Sequence, residues 1–418
     1  MVAASAADRA GTGVTMRFHV PQGARFLFNF LLGAALFCLI INQHVNRPGP
    51  SPSLQEIQAA ADKSNNAGRD GVIRSFEGEL VSEPLDSVHL KKLAVYAKAS
   101  GNGARSDALA LIAAQRSLRD VEAQALALDI FLRKQDYARS VRILDAVLRT
   151  RGKGQAALFP MLGTFAANPG ALPALAEVLG ANPPWRANFL IDLARSSENA
   201  NVPFQLLAML KGTASPPQAN EVRALIVRLL ADRNYDRAYY VWLDNLPSQD
   251  LKKVGLVFDG GFESGSRDLL FDWTFHERKN VDVRVISKRS SQADNALRID
   301  FAKNSSPFSD VSQTLYLTAG NYRLEGEVKT ENLQNEKGLL WKILCVNEAR
   351  QFLAATPRHN GTSDWTSFAV DFSVPADSCV MQRLVLVLDA KSALDQNISG
   401  RIWYDNLKIS NLDLIQTE

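Results

Sequence analysis

The sequence predicts a multidomain α + β protein: an N-terminal transmembrane helix, an all-α helical-repeat domain and a C-terminal all-β sandwich. Three observations carry that expectation. An uncharged, mostly apolar run extends from Phe26 to Ile41, apolar residues recur at helical spacing from about Leu85 to Leu246, and the pattern switches to period two near Leu256. At 418 residues the chain is long enough for two cores with appendages. The expected divisions are a tail over 1–25, an anchor over 26–42, a linker over 43–80, a helical domain over 81–250 and a sandwich over 256–414.

The anchor comes first. FLFNFLLGAALFCLII, sixteen residues interrupted only by the polar Asn29, covers about 24 Å as a helix against a hydrocarbon core of roughly 30 Å. Arg25 can snorkel, and Asn42 and Gln43 suit the interface. No small-residue cleavage site follows the run, which continues as NQHVNRPGP, so a retained anchor is expected rather than a removed signal peptide. Arg9, Arg17 and Arg25 precede it and Arg47 alone follows closely, which keeps the N-terminus cytoplasmic and the bulk of the chain periplasmic, at the inner membrane. Residues before Met16 read either as a start-site artefact or as a short tail, with the same topology.

Composition narrows the partners. A formal net charge of +3 with 22% charged residues supplies no field for nucleic acid. The five histidines and three cysteines lack CxxC or HExxH spacing, which argues against zinc or iron.

In the helical region HLKKLAVYAKA, ALALIAA and AQALALDIFL keep apolar faces, while Gly101, Gly103, Asp120, Asp136, Gly152, Pro169, Pro183, Pro203 and Pro216 punctuate at short-helix intervals. FLRKQDYARSVRILDAVL (131–148) aligns with LLADRNYDRAYYVWLDNL (229–246), matching Tyr137 to Tyr235, Asp136 to Asn234 and Leu144 to Trp242 at an offset of 98 residues. That is close to three periods of roughly 34 residues, and the region resembles a divergent tetratricopeptide-like array. The resemblance implies a concave face for a protein partner. Tyr137, Trp185, Tyr235 and Trp242 are expected to pack the array, and no helical residue is offered as a site.

Beyond Leu256, eight segments alternate or run apolar between turns: 281–287, 296–301, 311–317, 322–330, 339–345, 365–374, 383–389 and 401–409. Eight short strands indicate a jelly-roll or related sandwich. The opening VFDGGFESG (257–265), Trp273 and the closing IWYDNLKI (402–409) resemble the frame of carbohydrate-binding modules of the family 4, 9, 16 and 22 type. The resemblance implies that the first and last strands lie together and that Glu263 and Asp405 help hold a structural Ca2+, with backbone carbonyls completing the shell. The other reading is that Glu263 caps a turn and Asp405 bonds nearby amides. In an oxidising compartment Cys345 and Cys379 are natural disulfide partners; otherwise they are two buried thiols.

Sugar recognition needs aromatic faces with polar neighbours. Trp341, Tyr316, Tyr322 and Trp403 are the candidates. The family pattern sends Trp273 and Trp365 to the core, and of Trp403 and Tyr404 one must point inward. Trp341 is therefore the expected glycan-binding residue. Acidic pairs such as Asp300 with Asp310 or Glu325 with Glu327 could serve a glycosidase, yet no GxSxG elbow, Walker loop or activated cysteine is present. The expected function is non-catalytic: the helical array engages an envelope protein and the sandwich a polysaccharide or protein, in exopolysaccharide assembly or export. The alternatives are a scaffold or chaperone that binds only protein, and a cryptic glycan hydrolase.

Overall fold

The computed structural model describes residues 53–84, 86–264, 269–288, 294–304, 307–346, 350–377, 379–392 and 394–415. The expected membrane segment 26–42 lies outside them, and among the described residues no helix is long and apolar enough to cross a membrane. The chain divides into two compact units, one ending at Trp185 and the other beginning at Arg186.

The first unit is helical from Leu54 onward: α1 (Leu54–Lys63), α2 (Asn66–Ser82), α3 (Ser87–Ala99), α4 (Gly103–Arg116), α5 (Val121–Arg133), α6 (Tyr137–Arg151), α7 (Phe159–Ala167) and α8 (Leu172–Gly180). Much of the expected linker is thus folded. A reciprocal capping box between Ser53 and Glu56 starts α1, and Leu54, Ile57 and Ala61 bury its inner face. Small residues such as Ala113, Ala114, Ala123 and Ala127 fill one core cluster around Leu90 and let helices approach closely. The buried Lys91 ammonium of α3 reaches Asp120 and Glu122 at 2.9 Å each, tying α3 to the start of α5. Trp185 donates its indole N–H to Asp145 at 2.9 Å.

In the second unit the α-helices ahead of the strands are α9 (Arg186–Ser196), α10 (Asn201–Leu210), α11 (Ala219–Ala231) and α12 (Tyr235–Asp244). Arg186 is buried and forks onto Glu221 at 2.9 and 2.7 Å, with two more bonds to the carbonyls of Ser215 and Pro216. Removing either partner would leave a buried charge unpaired, so the pair is an anchor of this unit.

The aligned sequence segments have the same local turn. Asp136 N–H bonds Phe131 C=O at 2.9 Å and Asn234 N–H bonds Leu229 C=O at 2.8 Å, with Gln135 and Arg233 left-handed at φ 56° and 57°. Gly101, at φ 79°, occupies an equivalent turn between α3 and α4, where Asn102 N–H bonds Ala97 C=O. Gly101 and Gln135 are 34 residues apart, and Gln135 and Arg233 are 98 apart. Leu144 and Trp242, matched in the alignment, are both buried.

Ten strands follow in the second unit: β1 (Thr274–Phe275), β2 (Val281–Ser287), β3 (Asn295–Asn304), β4 (Val311–Leu315), β5 (Gly320–Gln334), β6 (Leu339–Cys345), β7 (Phe352–Ala355), β8 (Gly361–Val374), β9 (Gln382–Leu388) and β10 (Ile398–Asn411). They form two five-stranded antiparallel sheets in the orders β1-β4-β9-β6-β7 and β2-β3-β10-β5-β8. Inward residues of both sheets make one core, through which an aromatic chain runs from Phe262 to Trp273 (5.0 Å between centroids), Trp341 (5.6 Å) and Tyr404 (5.3 Å).

The expected break at 250–256 is not a structural seam. Trp242 of α12 is buried against Phe258 and Phe271 and donates to Asp272 Oδ1 at 2.7 Å. Gln313 of β4 holds both the N–H and the C=O of Phe258. These buried bonds make α12 and the sandwich parts of one unit, for a buried donor left unpaired would cost on the order of 1–3 kcal/mol.

Cys345 and Cys379 are bonded, 34 residues apart, and fasten the end of β6 to the segment before β9. Closing a loop of that length stabilises by about 3–4 kcal/mol in the chain-entropy model. Thermal melts with and without a thiol reductant are expected to show a large loss of Tm on reduction; an unchanged Tm with the thiols shown to be free would count against a stabilising bridge.

Candidate functional site

Strand alternation along β10 sets the geometry. Ile402 and Tyr404 are buried in the core, so Arg401, Trp403 and Asp405 lie on the outer face. After Asp405 the register shifts, with Asn406 at φ 53°, and Leu407 and Ile409 return to the core. Trp403 is half-buried, opposite Arg298 of β3 on one side and Lys329 of β5 on the other. The Arg298 guanidinium lies 5.5 Å from its ring centroid. Beyond β5, Trp365 of β8 is also half-buried, with the Lys288 ammonium 4.3 Å from its ring. Two interstrand steps separate β10 from β8, about 10 Å.

Around the indoles the face is polar and internally paired. Asp300 receives Arg298 (2.8 Å), Arg401 (3.1 Å) and Arg284 (3.3 Å); Arg401 also meets Glu331 (3.0 Å), and Lys329 meets Asp364 (2.9 Å). A shallow groove bounded by Arg284, Arg298, Asp300, Glu331, Asn332 and Arg401 runs one register row from Trp403. Fixed donors and acceptors beside two indoles are the elements that sugar hydroxyls and C–H faces require.

Trp341 is elsewhere. It has 0% exposure and packs on Trp273 and Tyr404, so its ring is closed to a sugar. β6 lies between β9 and β7 and, Lys342 apart, is apolar on both faces, so a run of apolar residues obscures which of them turn inward. Trp365, expected in the core, is on the surface, while Trp273 and Tyr322 are core residues. Tyr316 is bonded through its hydroxyl to Asp236 of α12.

Glu263 and Asp405 do come together. A Cβ on Gly261 would lie 3.8 Å from Asp405 Oδ1 and 3.9 Å from Glu263 Oε1, and Leu407 N–H bonds Gly260 C=O at 3.0 Å, laying the opening segment against β10. Their oxygens already have partners. Glu263 accepts from the backbone N–H (3.0 Å) and side-chain amide (2.9 Å) of Asn295; Asp405 accepts from Asn406 N–H (2.6 Å) and is ion-paired with Lys288. Both oxygens of neighbouring Asp259 accept N–H groups of Glu263 and Ser264. Calcium seeks six to eight oxygens, and an ammonium within the set repels it; this donor set does not fit the ion. Burial raises the Asp405 pKa, against the opposing pull of Lys288. Among the described residues the three-ligand grouping found is Glu83, Asp86 and His89 in the first unit, where His89 Nε2 is already 2.6 Å from Glu79.

No family model matches the sequence, and no curated protein matches it. Solved structures similar to the chain include a family 4 carbohydrate-binding module (15% identity, 37% of this chain and 99% of that one, TM-score 0.28) and a family 16 module (15%, 38% and 100%, 0.28). The CBM22-1 xylan-binding domain from Paenibacillus barcinonensis Xyn10C is another (15%, 37% and 92%, 0.26). The sandwich assignment itself rests on the strand order given above.

His359 closes the core behind this face. Its backbone pairs with Leu339 in both directions, and its ring lies 5.4 Å from Phe368 and 6.2 Å from Tyr404. Burial holds its pKa below 6.5. Between the folded and unfolded values the unfolded chain binds the additional proton, so this stability is present above about pH 6.5 and is lost as pH falls. Melts of wild type and His359→Phe from about pH 7 to about pH 5 are expected to give a shallower decline in the variant; parallel declines would contradict it.

Proposed function

We propose that this chain is a non-catalytic, membrane-anchored envelope protein whose sandwich binds a glycan on the Trp365–Trp403 face and whose helices engage a protein partner. The observation that carries the reading is the pair of half-exposed indoles on one sheet face, set among charged groups held in place by their own ion pairs. The Cys345–Cys379 bond supports an oxidising compartment, as the N-terminal apolar run implies. Turns of one geometry at spacings of 34 and 98 residues support a tetratricopeptide-like array. Exopolysaccharide assembly or export is the setting that joins these parts.

Non-catalysis is supported by the state of the acids. Asp310 is held bidentate by Arg278, Asp300 by three arginines, Glu325 by Lys408 and Glu327 by Asn406. A second reading, protein binding by the sandwich, is favoured by the apolar residues Val346, Phe352 and Val380, exposed by 53%, 57% and 48% about the disulfide end of β6.

Affinity electrophoresis of the full chain through gels containing different polysaccharides tests the glycan reading. At least one polysaccharide is expected to retard the wild type. Trp365→Ala and Trp403→Ala should each weaken binding about tenfold, the loss for a ring contributing on the order of 1–2 kcal/mol. Retardation that survives in both variants, or none with any polysaccharide, would turn the assignment toward protein binding.

A further inference from the structure

The misfit of calcium has a specific cause. Lys288 follows the last residue of β2, and its N–H bonds Asp294 C=O at 2.7 Å to close the β2–β3 connection. From there the side chain crosses the outer face: its ammonium is ion-paired with Asp405, 3.8 Å from Asp294 and 4.3 Å from the centroid of Trp365. Asp405 has a side-chain exposure of 4%, and a carboxylate that deep requires a counter-charge. Lys288 is itself largely covered, at 18%.

We propose that the Lys288 ammonium takes the place of a bound cation at Asp405, which makes the sandwich independent of metal and fixes the indole of Trp365 by the same contact. A flexible four-carbon stem suits this role, because it carries a compact charge from the end of an edge strand to the middle of the sheet. Glu263 is left to a separate task, in which Asn295 satisfies both of its oxygens and joins the opening segment to β3. The inference stands apart from the glycan reading, since it concerns what neutralises Asp405.

The test is thermal melting of the purified full chain followed by tryptophan fluorescence, to which the second unit contributes five of six indoles. The wild type is expected to melt at the same temperature in excess EDTA and in millimolar calcium. Lys288→Met should melt several degrees lower in both, and Lys288→Arg should recover most of the difference. A wild-type Tm that falls by several degrees in EDTA would overturn the proposal, as would a Lys288→Met protein as stable as wild type. If Lys288→Met does not fold, the wild-type comparison decides alone.

Discussion

The period-two alternation of β10, interrupted once, is the constraint on which the rest of the second unit depends. Its central place between β3 and β5 commits Ile402 and Tyr404 to the core, leaving Trp403 and Asp405 no position but the outer face. The irregularity at Asn406 then restores Leu407 and Ile409 to the core and brings Leu407 against Gly260. One strand thereby sets the surface indole, the deep carboxylate that Lys288 neutralises, and the docking of the opening segment. A slip of one residue would exchange all of these between the core and solvent.

Polar groups buried with full partners do the remaining positioning. Arg186 with Glu221, Trp242 with Asp272, and Gln313 with the backbone of Phe258 each satisfy their hydrogen bonds within the unit. Such pairs contribute modest net stability and impose a large cost on alternatives that separate them. The first ties α9 to α11 and the other two tie α12 and the opening segment to the sandwich, so the final helices and the strands form one compact unit even though their sequence periodicities differ.

Much of this was legible in the sequence, and what was not has physical reasons. All eight expected strands are present because short segments that alternate or run apolar between turn residues are a direct record of a sheet buried on one face or both. β1 and β7 escaped because two and four residues are too few to show a period. α2 escaped because its apolar residues Val72, Ile73, Phe76 and Leu80 are only partly covered and sit in a polar, glycine-containing segment, and α1 is under three turns long. At the site, the proximity of Glu263 and Asp405 followed from the resemblance of the two end segments to known modules. The role of Lys288 did not, because its partner lies 117 residues away and Lys288 itself lies in no motif. Trp341 was misplaced because β6, Lys342 apart, is apolar on both faces, and Trp365 because the family pattern assigned it to a core that Trp273 and Trp341 already fill.

What remains is the claim that the half-buried surface indoles, and not the fully buried ones, meet the ligand. The most direct measurement is nuclear magnetic resonance of the tryptophan indole N–H groups during titration with soluble fragments of a retained polysaccharide. The account predicts that Trp365 and Trp403 shift while Trp273 and Trp341 stay fixed. Movement of Trp341 without Trp365 and Trp403, or binding that leaves all of them unmoved, would contradict it.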